Sequence, residues 1–120
     1  STHPQPKLIT EPEILSTTRD GETVHLSLRL QAELEQFKGH FDGFPMLAGV
    51  VQVDWAIQYG RRHFTLLPNF KRITALKFLR VITPGNELQL SLSHNSKGEL
   101  DFRYLRDGAT VSSGRVLFAD

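Results

Sequence analysis

Residues 40–58 read H-F-D-G-F-P-M-L-A-G-V-V-Q-V-D-W-A-I-Q. The opening His40-Phe41-Asp42-Gly43-Phe44-Pro45 has the glycine and proline of a turn-forming loop. From Leu47 the pattern turns helical: Val50, Val53, Ile57 and Phe64 share one face, and Val51, Trp55 and Ala56 place apolar groups elsewhere. A helix apolar nearly all round is expected to be buried on most sides. Running to about residue 64, it spans roughly 25 to 30 Å at 1.5 Å per residue. Asp54 is its one charge between Leu47 and Tyr59. Desolvating a carboxylate there costs several kcal/mol unless it is paired or has a task. A histidine at the loop mouth and an isolated acid in the helix are a natural pair for moving protons near neutral pH. Gln58 lies one turn beyond Asp54 on the same face, where it can orient the acid or fill an interface.

Before this stretch, residues 1–12 hold three prolines and read as an arm. Residues 14–18 and 22–30 flank Arg19-Asp20-Gly21, a hairpin signal. Val24, Leu26, Leu28 and Leu30 alternate with His25, Ser27, Arg29 and Gln31, as in a half-buried strand with His25 on its polar side. After the helix, Leu66-Leu67-Pro68-Asn69 closes the turn and residues 73–81 read as a strand. Alternating Leu88, Leu90 and Leu92, then Leu100, Phe102 and Tyr104, then residues 110–118 complete a meander of about four strands. Asn95-Ser96-Lys97-Gly98 and Arg106-Asp107-Gly108 supply its turns, and His63 and His94 read as exposed polar residues or as favourable charge near a helix C-terminus. The expected architecture is α+β: a single domain over 13–120, its antiparallel sheet wrapped around one long central helix.

The chain has 120 residues, 39% hydrophobic and 22% charged, an ordinary globular composition with room for a core. No apolar run reaches the roughly 18 residues of a membrane helix, and S-T-H-P-Q-P lacks a secretory apolar core. A cytoplasmic location is the default expectation. With no cysteine, disulfides, thiolate catalysis and Cys-bound zinc are excluded. The net charge is +1, yet residues 55–86 hold no Asp or Glu while Arg61, Arg62, Lys71, Arg72, Lys77 and Arg80 all fall there. This is either a solvated positive face or a docking patch for an acidic partner. Nucleic acid is not expected, since the overall charge is balanced and no recognition-helix pattern is present.

The stretch G-H-F-D-G-F-P-M-L-A-G-V-V-Q-V-D-W-A-I-Q resembles the signature of the hotdog-fold 3-hydroxyacyl-acyl-carrier-protein dehydratases, roughly G-H-F-x-G-x-P-x-x-P-G-V-x-x-x-(D/E)-x-x-x-Q. Leu76-Lys77-Phe78, Pro84-Gly85-Asn86-Glu87-Leu88 and Asp107-Gly108-Ala109-Thr110-Val111 are similar to its later motifs, so the likeness covers about residues 20–120. Within the family, V-V-Q-V-D-W-A looks closest to the stand-alone dehydratases of aryl polyene clusters. The resemblance implies His40 as catalytic histidine, Asp54 as its acid and Gly49 as the residue whose N–H polarises the thioester carbonyl. It places at Met46 the carbonyl that orients the histidine. It further implies a homodimer in which His40 of one chain faces Asp54 of its partner, no cofactor or metal, and acyl carrier protein as the substrate's bearer. Gly49 and Asp54 are about 140° apart around the helix, which is compatible with sites shared between two chains. Acidic carrier proteins would suit the basic stretch, with Arg61, Arg62, Lys71 and Arg72 as docking residues. Trp55, beside the acid, is expected to shape the substrate channel. Two departures stand out: Ala48 replaces the usual proline before the glycine, and Asp42 replaces the frequent proline after His-Phe.

Elimination of water from a 3-hydroxyacyl thioester needs a base for the C2 proton, stabilisation of the growing negative charge on the carbonyl, and a proton for the departing hydroxyl. A helix-start amide serves the second need, and glycine lets the substrate approach. Neutral His40 would be the base. Asp54 either donates the proton or, ionised, holds a water that His40 protonates. Two other functions fit the same pattern: a hotdog thioesterase, in which the carboxylate activates water, and a non-catalytic acyl-binding subunit.

Overall fold

The computed structural model describes residues 8–38 and 43–120. His40 and Asp42, and the first seven residues of the arm, lie outside the described residues. The elements in chain order are β1 (Glu13–Asp20), β2 (Thr23–Arg29), a short 3-10 turn (Glu35–Phe37), α1 (Gly49–His63), β3 (Asn69–Phe78), β4 (Glu87–His94), β5 (Leu100–Arg106) and β6 (Ala109–Ala119). The expected β1–β2 hairpin forms around Gly21, which takes the φ of +60° that this turn requires.

All six strands join one antiparallel sheet in the order β1-β2-β4-β5-β6-β3. The period-2 pattern sets its register. Leu26 pairs with Leu90, and Leu90 with Tyr104, so a continuous apolar face points inward. On the outer face His25 Nδ1 meets Ser91 Oγ at 2.8 Å, and Thr23 Oγ1 meets Ser93 Oγ at 3.0 Å. Helix α1 lies on the inner face, and Trp55, Ala56 and Tyr59 join the strand leucines in one core. At Gly60 a Cβ would sit 2.6 Å from Leu100 Cδ2, so the missing side chain lets the helix approach β5.

The last four strands are not the simple meander that alternation suggests. β4, β5 and β6 follow one another, but β3 pairs with β6 and becomes the far edge of the sheet. It runs over Asn69–Phe78 rather than 73–81, and its pairing is interrupted between Thr74 and Lys77, where Ala75 takes a φ of +54°. Nor is the helix buried on most sides of the protomer. Val50, Asp54, Gln58 and Arg61, at spacings of four, four and three, form an exposed stripe opposite the buried Gln52, Trp55, Ala56 and Tyr59. Finally, neither His63 nor His94 is fully exposed: both are half-buried, His63 in the last turn of α1 and His94 with its ring stacked on Phe64 at 5.4 Å.

Candidate active site

The site is assembled at the start of α1. Ala48 is the N-cap, with extended backbone and no side-chain oxygen to offer. Its carbonyl accepts from Val51 (3.1 Å) and Gln52 (3.2 Å). The N–H groups of Gly49 and Val50 have no acceptor among the described residues. Two amides without an acceptor among the described residues, at the positive end of a 15-residue helix, have the chemistry to stabilise negative charge. Gly49 also lies against β3: a Cβ there would lie 2.6 Å from Phe78 Cζ, so the Phe78 ring occupies the space that a side chain would take. Phe78 is 48% exposed and borders the amides from the sheet edge.

The approach to the helix is held by its backbone. Leu47 N–H donates to the Ile82 carbonyl at 2.8 Å, and its carbonyl accepts from Gln52 Nε2 at 3.2 Å. Met46, next to this pinned residue, is half-buried. Asp54 is exposed on the protomer, and Gln58 Nε2 donates to its Oδ2 at 2.6 Å. The acid therefore has the orienting partner that the one-turn spacing predicts. Gly49 and Asp54 do not converge within one protomer, because one faces β3 and the other lies on the exposed stripe. Trp55 is 3% exposed and packs in the core rather than opening beside Asp54, since one residue along a helix turns the side chain by about 100°.

The basic residues divide into two groups. Arg61 donates to the carbonyls of Leu67 and Pro68, both at 3.1 Å, and lies over the Phe118 ring. Arg62 pairs with Glu11 at 2.6 Å and covers Tyr59. Both fasten the helix end to its surroundings. Lys71, Arg72, Lys77 and Arg80 are exposed and have no carboxylate partner among the described residues.

Two tyrosines beneath the site titrate abnormally. Burial, then the nearby Glu11 charge, pushes the Tyr59 hydroxyl up to about 12 against the opposing pull of Arg62. Burial drives Tyr104 well above its ordinary value. Its hydroxyl stays protonated and donates to the Gln52 carbonyl at 2.7 Å. Gln52 is the residue the sequence reading missed. A polar residue among apolar ones in a helix signals either a solvent contact or a buried network, and at 3% exposure this is the second. No cluster of metal-ligating side chains occurs among the described residues, and none of their helices is long and apolar enough to cross a membrane.

Six antiparallel strands curled over one central helix, with open amides at the helix start, define a hotdog domain. The family model described as ApeI-like, ApeI dehydratase, matches residues 16–115, and the chain belongs to that family. A 3-hydroxyacyl-[acyl-carrier-protein] dehydratase FabZ of Ligilactobacillus salivarius (strain UCC118) is 38% identical over 66 residues, 49% of this chain and 47% of the relative. The match thus spans about half of that relative's length. Among solved structures, a chain of the dehydratase heterocomplex ApeI:P from Xenorhabdus doucetiae superposes with a TM-score of 0.85 at 30% identity, covering 92% of this chain and 100% of that one. An uncharacterized protein from Erwinia carotovora subsp. atroseptica gives 0.70 at 33% identity, over 92% of this chain and 97% of that one. The E. coli PaaI protein of the phenylacetic acid degradation operon, at 0.61 and 18% identity over 88% and 79%, shares the fold.

Proposed function

We propose that this protein eliminates water from a (3R)-3-hydroxyacyl thioester on acyl carrier protein to give the trans-2-enoyl thioester, in fatty acid or aryl polyene synthesis. The observation that carries this reading is the pair of open amides at Gly49 and Val50, in a chain of the dehydratase family. The thioester carbonyl docks on these amides, which stabilise charge growing on its oxygen as the C2 proton leaves. His40 takes that proton, its ring oriented by the Met46 carbonyl. Asp54, steered by Gln58, serves the departing hydroxyl.

The site is completed by a second copy. β3 is an edge strand exposed along nearly its whole length, and Phe70, Leu76 and Phe78 on it are 53%, 42% and 48% exposed. Leu79, Val81 and helix residue Val50 extend the same apolar surface. A long apolar edge left uncovered is an aggregation hazard, and pairing it with a partner's edge removes the hazard. That pairing would also cover the Val50–Asp54–Gln58 stripe and bring His40 of one chain to Asp54 of the other. Lys71 and Arg72 on β3, which have no carboxylate partner among the described residues, with Arg61 and Arg62 at the helix end, provide the positive surface for an acidic carrier protein.

The test is incubation with 3-hydroxyacyl carrier substrates of several lengths, including an aryl polyene conjugate. The expected result is rising enoyl absorbance without thiol release. Thiol release without enoyl formation would establish the thioesterase, and tight binding without turnover the non-catalytic subunit.

A further inference from the structure

Below the open amides lies a buried polar network whose side chains the elimination chemistry does not use. Gln52 Oε1 accepts from Ser112 Oγ at 2.6 Å, and Gln52 Nε2 donates to the Leu47 carbonyl at 3.2 Å. Tyr104 donates to the Gln52 backbone carbonyl at 2.7 Å. Ser112 is fully buried and Gln52 is 3% exposed. Three segments distant in sequence, residues 43–48, β5 and β6, thereby meet on one helical residue.

An apolar residue would fill this space without a desolvation cost, and each buried amide or hydroxyl must find partners merely to break even. What the network adds is direction. Leu47 has its N–H committed to Ile82 and its carbonyl committed to Gln52. With both backbone groups of that residue fixed, the two residues that follow have little freedom, and the second of them is Gly49. On the other side the Leu47 N–H bond to Ile82 holds the Met46–Leu47 peptide, and with it the Met46 carbonyl. Ala48 provides no side-chain cap and lacks the φ restriction of a proline, so the entry to this helix has no local device of its own.

We propose that Gln52, held by Ser112, is a positioning residue that aims the Gly49 and Val50 amides by anchoring the Leu47 carbonyl. This rests on the dehydratase reading for its kinetic consequence, while its structural consequence is independent of that reading.

Gln52→Met keeps the length and apolar bulk and removes both side-chain hydrogen bonds. The expected kcat is lower by about 10-fold to 100-fold, as for a reacting group misplaced by up to an ångström, with KM within about threefold. Ser112→Ala should give a smaller loss, Ser112→Thr should restore it, and the double variant should be no worse than Gln52→Met alone. Hydrogen exchange is the second readout: amides of residues 43–51 exchange faster in Gln52→Met, while β4 and β5 keep wild-type protection. Wild-type turnover tests the activity; exchange tests the positioning, even in a protein without turnover. A folded Gln52→Met or Ser112→Ala protein with wild-type exchange over 43–51 overturns the proposal, as does a wild-type kcat in an enzyme shown to be active. Additive losses in the double variant, accompanied by proportionate losses of Tm, would also overturn it.

Discussion

Gly49→Ala separates stability from chemistry at the proposed carbonyl site. The added methyl would lie 2.6 Å from Phe78 Cζ and 3.0 Å from both Cε atoms. These are atoms at the far end of one side chain, and that side chain is 48% exposed, so the ring can swing toward solvent. Overpacking costs about 1–3 kcal/mol in a closed core, and the low end applies at this open edge. Replacing glycine by alanine in a helix recovers up to about 1 kcal/mol. The two effects nearly cancel, so Tm should change by no more than about 4–8 °C, the shift expected for 1 kcal/mol in a domain near this size. Turnover should respond differently. A methyl beside the amide and a displaced ring both obstruct the approach of the thioester oxygen, and losing one such donor costs about 100-fold to 1,000-fold in kcat. The assay is enoyl formation from a 3-hydroxyacyl thioester, run beside a thermal melt. A Gly49→Ala protein with a wild-type melt and a kcat within threefold of wild type would refute the assignment of this amide.

Three other outcomes follow from the same geometry. Lys71→Glu with Arg72→Glu should raise KM for carrier-linked substrate and leave a small thioester unaffected; equal effects on both would remove the docking role. These positions are better probes than Arg61 and Arg62, whose reversal would also release the Leu67 and Pro68 carbonyls and the Glu11 pair. Leu76→Lys should shift the dimer toward monomer in light scattering and lower activity with it, whereas an unchanged mass would place the interface elsewhere. Stability should fall as pH rises above about 10. The unfolded chain then loses tyrosine protons that Tyr59, at about 12, and Tyr104 retain when folded. The slope approaches about 1.4 kcal/mol per pH unit for each tyrosine, and the Tyr104→Phe variant should show a shallower fall. An identical fall in that variant would contradict the assigned burial effect.

How much was legible beforehand follows from the range of the forces involved. The β1–β2 hairpin, the alternation of β2, β4 and β5, and the helix were readable because Asp20-Gly21 and the 2- and 3.6-residue periods act locally. The helix begins at Gly49, two residues later than the apolar pattern suggests, because Leu47 is tied by its N–H to Ile82, 35 positions away. The position of β3 at the far edge depends on pairing with β6, and the alternation within β3 cannot express it. Ala75 is left-handed although its residue type gives no sign of it. At the site, Asp54 could be singled out as the one charge in an apolar helix and Gln58 by its one-turn spacing from it, whereas Gly49 was marked only by the resemblance to the dehydratase signature. Trp55, next to Asp54 in sequence, is buried in the core of the protomer, because a residue's neighbour in sequence is not its neighbour around a helix. Gln52 was missed because its partners, Ser112 and Tyr104, lie 60 and 52 positions away.

The central claim, that one catalytic centre draws His40 and Asp54 from different chains, is tested most directly by mixing two inactive variants. His40→Ala and Asp54→Asn proteins, unfolded and refolded together or co-expressed, form mixed dimers in which one site carries both substitutions and the other carries neither. With random pairing, half of the dimers are mixed and each has one intact site, so activity should return to about a quarter of wild type. A mixture that forms such dimers and stays as inactive as its parents would contradict the shared site.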